Sequence, residues 1–282
     1  MLGGSPRCQT LEMTNDDRWG PGDVFNEVPD LYDRMRPTYP AELFAELSAI
    51  AGIHNGSHVL EVGCGTGQAT GSLAAIGCSV TAVEPGLAMA AIATTRLVDR
   101  PRANVEVSTF EQWDDRGRTF DMLVAASSWH WIDPSIGWPK AHKVIRPYGS
   151  MALIGFVVVR RSDEPEVYAE TAHLHEQFSP GNPSWGHPPF EEDVRITNSG
   201  WGPDIDPGGL FGDTIVRWYP TEQHFDGNGF ADHLRTLSIY RRLPNRVSEP
   251  LLEAIAEHIR ARMDNRAVRQ YLAVMRVGHR IP

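Results

Sequence analysis

The chain has 282 residues and a formal net charge of −10. That length suffices to bury a substantial core, and 41% hydrophobic against 22% charged residues excludes the disordered and collagen-like classes. The negative balance disfavours a nucleic-acid partner, since phosphate binding draws on clustered Lys and Arg, and Cys8, Cys64 and Cys78 lack the number and spacing of a disulfide framework or a zinc site.

In chain order, residues 1–53 read as an N-terminal helical cap. The opening MLGGSPRCQT has no apolar signal core. The longest apolar run, Met151 to Val159, is far short of the roughly 20 residues that span a bilayer, so the expectation is a cytoplasmic chain without a membrane partner. From His58 onward, short apolar runs (HVLEV, SVTAVE, NVEVS, FDMLVAA and SMALIGFVVV) alternate with helical spacing at Gln68–Ile76, Leu87–Leu97 and Trp138–Ile145. Strands that are apolar almost throughout are covered on both faces, which predicts parallel βαβ units in a doubly wound sheet. Glu164 to Phe178 reads as a helix. Ser179 to Asp213 holds 13 Gly and Pro in 35 positions and reads as an irregular insertion. TIVRWYP (214–220) reads as a strand, Gly229–Arg242 and Val247–Arg262 as helices with Ser248 capping the second, and RQYLAVMRV as the closing strand. The Arg-rich stretch from Arg241 to Arg280 reads as a solvated helix face. The fold class is α/β, a seven-stranded, mostly parallel Rossmann-like sheet with its last strand antiparallel. One domain, 1–282, is expected: the cap, a cofactor-binding half at 54–160, a helix and lid-like insertion at 161–213, and C-terminal strands and helices at 214–282.

The segment VLEVGCGTGQAT (59–70) runs a buried strand into Gly63, Gly65 and Gly67 and then into a helix. Glycine lets the turn take positive φ and lets a ligand lie against backbone N–H groups at the helix N-terminus. The second strand ends in Glu84, 21 residues after Gly63, where an acid can accept from two ribose hydroxyls. A dinucleotide site would carry G-x-G-x-x-G, whereas this turn is G-x-G-x-G and is preceded by Glu61. A carboxylate there would repel a pyrophosphate and suit a ligand bearing an ammonium or sulfonium charge.

ExGxGxG followed by an acid ending the second strand resembles the class I methyltransferases, which implies S-adenosyl-L-methionine as cofactor. By that resemblance Glu61, Gly63, Cys64, Gly65, Thr66, Gly67 and Gln68 form the cofactor turn, and Glu84, Pro85 and Met89 flank the ribose. NVEVSTFEQW (104–113) resembles the segment along the adenine edge, with Thr109 standing where an Asp often contacts the adenine amino group and Phe110 and Glu111 beside it. FDMLVAASSWHWID resembles the fourth strand and its functional end, bringing in Ala126 and Ser127. IRPYGS resembles the family's turn before the fifth strand, with Tyr148 in place of a glycine. LYDRMRPTYP (31–40) resembles the segment that small-molecule members place over the methionine part, which offers Tyr32 and Arg36 to the cofactor. The branch that the chain is most similar to is that of trans-aconitate-methyltransferase-like enzymes.

Methyl transfer from a sulfonium is an in-line displacement that mainly needs positioning. Where the acceptor carries a proton, a base must take it, and His130, between Trp129 and Trp131, is the candidate, with a hydrogen-bonded wall residue as the other reading. Tyr39, Trp129, Trp131, Trp185 and His187 are the candidate acceptor contacts, with Phe190 and Trp201 beside the last two. His173 and His175 fall on different helix faces with no carboxylate cluster, so no metal is expected. The implied function is O-, N- or C-methylation of a small molecule. An RNA methyltransferase, an NAD(P)-dependent oxidoreductase and a non-catalytic cofactor-binding domain remain as alternatives, and a homodimer is left open.

Overall fold

The computed structural model describes residues 27–161, 166–182, 185–197, 205 and 208–281. Seven strands run β1 His58–Val62, β2 Ser79–Glu84, β3 Ala103–Val107, β4 Phe120–Ala126, β5 Ile145–Val159, β6 Ile215–Phe225 and β7 Ala267–His279. Their order in the sheet is β3-β2-β1-β4-β5-β7-β6. β1 through β5 pair in parallel, and β7 lies antiparallel to both neighbours. Branched and apolar side chains dominate the central strands, and four of five β1 residues are buried, as a sheet clothed on both faces requires.

The described helices are α1 Pro29–Met35, α2 Ala41–Ala51, α3 Gln68–Ile76, α4 Leu87–Arg96, α5 Pro134–Val144, α6 Val167–Phe178, α7 Glu191–Thr197, α8 Gly227–Arg235, α9 Ser238–Arg241 and α10 Asn245–Arg262. One face of the sheet packs Leu43, Phe44 and Leu47 of α2 and Leu73 of α3 against Met122, Val124, Ile154 and Met275. The opposite face packs Trp113, Trp129, Trp138 and Phe211 against Leu60, Leu123 and Leu153. A third core gathers α8, α9 and α10 around Phe230, Tyr240, Leu251 and Ile255.

Two features of this architecture position the site. Strand order reverses between β1 and β4, which opens a crevice at the carboxyl edge, the usual ligand position in open α/β sheets. Ile154 pairs with Ala126 at the end of β4, so residues 155–159 of β5 run on past that edge, paired with β7 from Val274 to Gln270. The β5–β7–β6 wing thus forms a wall beside the crevice.

Several boundaries depart from the sequence reading. The insertion is not irregular throughout: Glu191–Thr197 is helical because Gly and Pro stop on either side of it, while its acidic first turn and the Arg195–Glu191 ion pair at 2.8 Å favour a helix. The strand read as 214–220 continues to Phe225, since the β7 ladder enlists the following residues and Pro220, on an edge strand, sacrifices no interior bond. Gly229–Arg242 divides into α8 and α9. Asp226 caps α8 by accepting from the Gly229 N–H at 2.7 Å. The last helix begins at Asn245 behind Pro244, and Ser248 is a buried residue inside it, not its cap. α6 begins at Val167 behind the Glu166 side chain, and α5 at Pro134 behind Asp133.

Candidate cofactor site

Gly63, Gly65 and Gly67 all take positive φ (69°, 57° and 81°). A Cβ on Gly63 would overlap the Ser128 side chain, whose hydroxyl donates to the Val62 carbonyl, so this glycine lets β4's exit loop close against β1. A Cβ on Gly65 would meet only the Met89 side chain, at 3.6 Å; the backbone there faces open space. A cleft of about 1030 Å³ lies over this turn.

Two acids stand at its floor. Glu84 accepts from the Gly65 and Gly86 N–H groups, each at 2.9 Å, which fixes its carboxylate against the turn while lone pairs remain for a ligand hydroxyl. Burial raises its pKa, and those two bonds oppose the rise. Glu61 is buried, and Thr70 Oγ1 donates to its Oε2 at 2.5 Å. Its Oε1 is buried without any hydrogen-bond partner. Burial first, and Glu84 in addition, push its pKa up to about 8 against the Thr70 bond. An orphaned carboxyl oxygen at the floor of a cleft is costly by itself and is satisfied by a cationic ligand group.

The roof comes from the N-terminal cap. Tyr32 and Arg36 at the end of α1 line the cleft, with the Arg36 guanidinium 4.9 Å from the Tyr32 ring centroid. Tyr39 stacks on Phe156 of the β5 extension at 4.8 Å and shares a 3.0 Å hydrogen bond with Ser127 Oγ. Burial keeps its phenol neutral. Ser127 holds φ at 60°, a strained value for serine, and its N–H donates to the Ile154 carbonyl at 2.7 Å, which locks the turn.

Most residues expected at the cofactor do line this cleft: Tyr32, Arg36, Glu61, Gly63, Cys64, Gly65, Thr66, Gln68, Glu84, Pro85, Met89, Thr109, Phe110, Glu111, Ala126 and Ser127, and Tyr39 and Trp131, expected at the acceptor, are in the same lining. Gly67 supports the turn from outside the lining. Glu111 accepts from the Asp133 N–H at 2.9 Å, and Lys140 donates to the Glu111 carbonyl at 3.1 Å, so this acid ties the β3 and β4 loops together. Thr109 Oγ1 accepts weakly from the Gln112 N–H at 3.3 Å.

Four expected residues lie elsewhere. Trp129 is buried in the core against Trp138. His130 is an exposed residue on the 3₁₀ turn Trp129–Trp131, outside the lining, with its ring 5.1 Å from Trp131. Contact with Trp131, which takes part of the ring out of water, and the Arg36 charge lower its imidazole. Trp185 and His187 line a second cleft with Tyr168 and His175. Trp201 lies outside the described residues. Phe156, Ser108 and Ser128 line the cofactor cleft without having stood out in the sequence. Phe156 is hidden in an apolar strand run whose overshoot past the sheet edge only the pairing reveals.

Residues 59–149 match a family model described as a methyltransferase domain. The chain carries a Rossmann-like, S-adenosylmethionine-dependent methyltransferase domain. An uncharacterized methyltransferase of Mycobacterium bovis is 32% identical over 130 residues, which is 46% of this chain and 51% of the relative. The chain therefore spans about half the length of the curated relatives it matches. A solved candidate type II methyltransferase from Anaeromyxobacter dehalogenans superposes with a TM-score of 0.59 at 27% identity, over 88% of this chain and 99% of that one. A phosphoethanolamine N-methyltransferase of Haemonchus contortus, solved with S-adenosylhomocysteine, shares the fold (TM-score 0.52, 13% identity, 94% and 61% covered). The residues of the cleft fit the cofactor of this domain. Glu61 has an unsatisfied carboxyl oxygen suited to a cation, Glu84 holds its carboxylate against the turn with lone pairs left for hydroxyl donors, and Gly65 leaves the backbone open. A pyrophosphate would meet both acids. Among the described residues, no group of three His, Cys, Asp or Glu is placed to hold a metal, and no helix is long and apolar enough to cross a membrane.

Proposed function

We propose that this chain methylates a small-molecule acceptor at the cleft between the glycine turn and the Tyr39–Phe156 wall. The observation that carries the reading is the orphaned Glu61 oxygen beside the Glu84 carboxylate, an acid pair suited to a cationic nucleoside. S-adenosylmethionine, when bound, supplies an electrophilic methyl group on a sulfonium. Glu84 would accept from the ribose hydroxyls, Glu61 would face the positive end, and Arg36, which pairs with no described carboxylate, would offer its fork to the cofactor carboxylate. Tyr39, stacked and hydrogen-bonded, gives the acceptor a rigid wall, which is the positioning that displacement needs. His130, whose ring is 5.1 Å from that of the lining residue Trp131, would take a proton from acceptors that carry one. A cleft whose lining includes Tyr32, Tyr39 and Phe156 suits a small acceptor better than a macromolecule.

Calorimetry tests the reading. S-adenosylhomocysteine should bind and NADH should not, and Glu84→Ala should weaken the former by about 1.5–3 kcal/mol through loss of bonds to a charged acceptor. Tight NADH binding with no S-adenosylhomocysteine heat would overturn it.

A further inference from the structure

The Arg36–Pro37 pair stops α1, because the residue before a proline is held in the extended region, and Arg36 sits at φ −79° and ψ 145°. The Arg36 side chain lines the cofactor cleft, while the Met35 carbonyl, on the last helical residue, is left without a helical donor. Two side chains from the C-terminal part of the chain take that carbonyl. His233 of α8 donates through Nδ1–H at 2.9 Å, and Gln223 of β6 donates through Nε2–H at 3.4 Å. Behind each stands a residue of β7. Arg269 Nη1 donates to His233 Nε2 at 2.7 Å, and the Tyr271 hydroxyl donates to Gln223 Oε1 at 3.2 Å. Arg269 and Tyr271 are two residues apart and so share a face of the strand, and Gln223 pairs directly across from Arg269.

The polarity of both arms is set from β7. A guanidinium has only donors, so His233 Nε2, facing Arg269, is the bare nitrogen, and a neutral imidazole then carries its proton on Nδ1. The Met35 carbonyl, which only accepts, demands the same tautomer from the other side. His233 is 1% exposed, and burial first, with the Arg269 charge, lowers its pKa well below the usual histidine value, which keeps the ring neutral. Gln223 obeys the same logic: with Tyr271 donating to its oxygen, its amide nitrogen is the end left for the carbonyl. The Tyr271 hydroxyl also lies 3.3 Å from His233 Nε2, which joins the two arms. Glu166 lines the same small pocket as Arg269 but accepts from the Tyr168 and Ala169 N–H groups, and the Tyr168 and Tyr271 rings stand 5.2 and 5.5 Å from the guanidinium.

We propose that Arg269 and Tyr271 are positioning residues for the cofactor site: they fix the His233 proton and the Gln223 amide so that both donate to the Met35 carbonyl, and so hold the peptide that carries Arg36 into the cleft. Arg36 as partner of the cofactor carboxylate rests on the methyl-transfer reading, whereas the relay itself stands on the hydrogen bonds. α1 has no buried residue of its own, so orientation lost at this carbonyl is not restored by packing. The Arg96–Asp33 pair tethers the middle of the helix, and the Met35 bonds fix its exit toward Arg36.

The test needs no acceptor. In the full chain with nitrogen-15-labelled histidine, the ring nitrogen shifts of His233, identified by their loss in His233→Asn, should show the Nδ1–H tautomer, and Arg269→Met should convert part of it to Nε2–H. Titration with S-adenosylhomocysteine reads the effect at the cleft. R269M should weaken it about three- to tenfold, the range of one hydrogen bond, and should add less than about twofold to Arg36→Met, because both changes act on one contact. His233→Asn puts an amide where Nδ1 stands and should keep affinity within about twofold. His233→Gln, nearer to histidine in size, puts the amide where Nε2 stands and should lose as much as R269M. A packing role for His233 would reverse that order. An Nε2–H or doubly protonated His233 in the wild type, a measurement that asks no variant to fold, overturns the proposal, as do unchanged S-adenosylhomocysteine affinity in R269M and fully additive losses in R269M with R36M. If the wild type shows the Nδ1–H tautomer and binds no S-adenosylhomocysteine, the relay stands and the methyl-transfer reading falls, together with the cofactor role built on it.

Discussion

Glu61 carries one oxygen bonded to Thr70 and another bonded to nothing, and this asymmetry has a pH signature. Its folded pKa is raised to about 8 by burial, so the native state holds a proton that the unfolded chain has released. Its contribution is therefore fully present below the unfolded carboxylate range near 4.3 and is lost as pH rises to about 8. Glu61→Gln should flatten the decline in stability across that window, measured by denaturant unfolding at several pH values; an unchanged slope would show that Glu61 ionises normally. A cationic ligand favours the ionised form, so S-adenosylmethionine binding at pH 7 should release a proton, seen as a binding heat that varies with the buffer's ionisation enthalpy. His130 is perturbed the other way. With its imidazole lowered by contact with Trp131 and by the Arg36 charge, a rate that depends on it should rise at lower pH than the ordinary histidine range near 6.5. His130→Ala should lower turnover by about 100-fold with S-adenosylmethionine affinity unchanged if it acts as the base. A fall of less than threefold would make it a wall residue.

α1 is held in an unusual way for a roof element: none of its seven residues is buried. A helix that short does not persist alone, so polar ties set its place. Asp33 takes a two-pronged ion pair from Arg96 of α4 (2.6 and 2.8 Å), and the Met35 carbonyl accepts from His233 at 2.9 Å and Gln223 at 3.4 Å. Tyr32 and Arg36 reach the cleft from this helix, so loosening it should loosen the cofactor. Asp33→Ala should weaken S-adenosylhomocysteine about two- to fivefold, the range of a partly exposed pair worth up to about 1 kcal/mol, and should expose α1 to limited proteolysis. Unchanged affinity and cleavage would mean that the His233 and Gln223 bonds suffice. The glycine turn behaves differently from α1, because its shape is set by backbone φ and by Ser128 closing over Gly63, which no ligand needs to induce.

Across the whole molecule, the cofactor cleft joins the N-terminal cap to the first five strands, from Tyr32 of α1 to Phe156 of β5, so its occupation should stabilise the fold as a unit. At 100 times its dissociation constant, S-adenosylhomocysteine should add about 2.7 kcal/mol, roughly 5–10 °C in melting temperature for a chain of this size; a shift below 1 °C at that saturation would show that the cleft is not part of the cooperative unit. The amino-acid sequence by itself determined the parallel βαβ core, because buried strands must be apolar on both faces, and it determined the glycine turn with Glu61 and Glu84 beside it, because positive φ and an acid ending the second strand are local features written in adjacent or regularly spaced residues. It also carried Tyr32, Arg36 and Tyr39 to the site through a contiguous segment. Only the tertiary structure decided what depends on long-range pairing. The overshoot of β5 along β7 makes Phe156 a cleft wall, the packing of Trp129 against Trp138 removes it from the cleft, and the insertion folds Trp185 and His187 around a separate opening. Arg269 reads in sequence as one more arginine of a solvated stretch. It becomes a buried cation because β7 is clamped between β5 and β6 while α8 supplies His233 above it, and a one-dimensional pattern cannot register which charges a distant helix and two strands take out of water together.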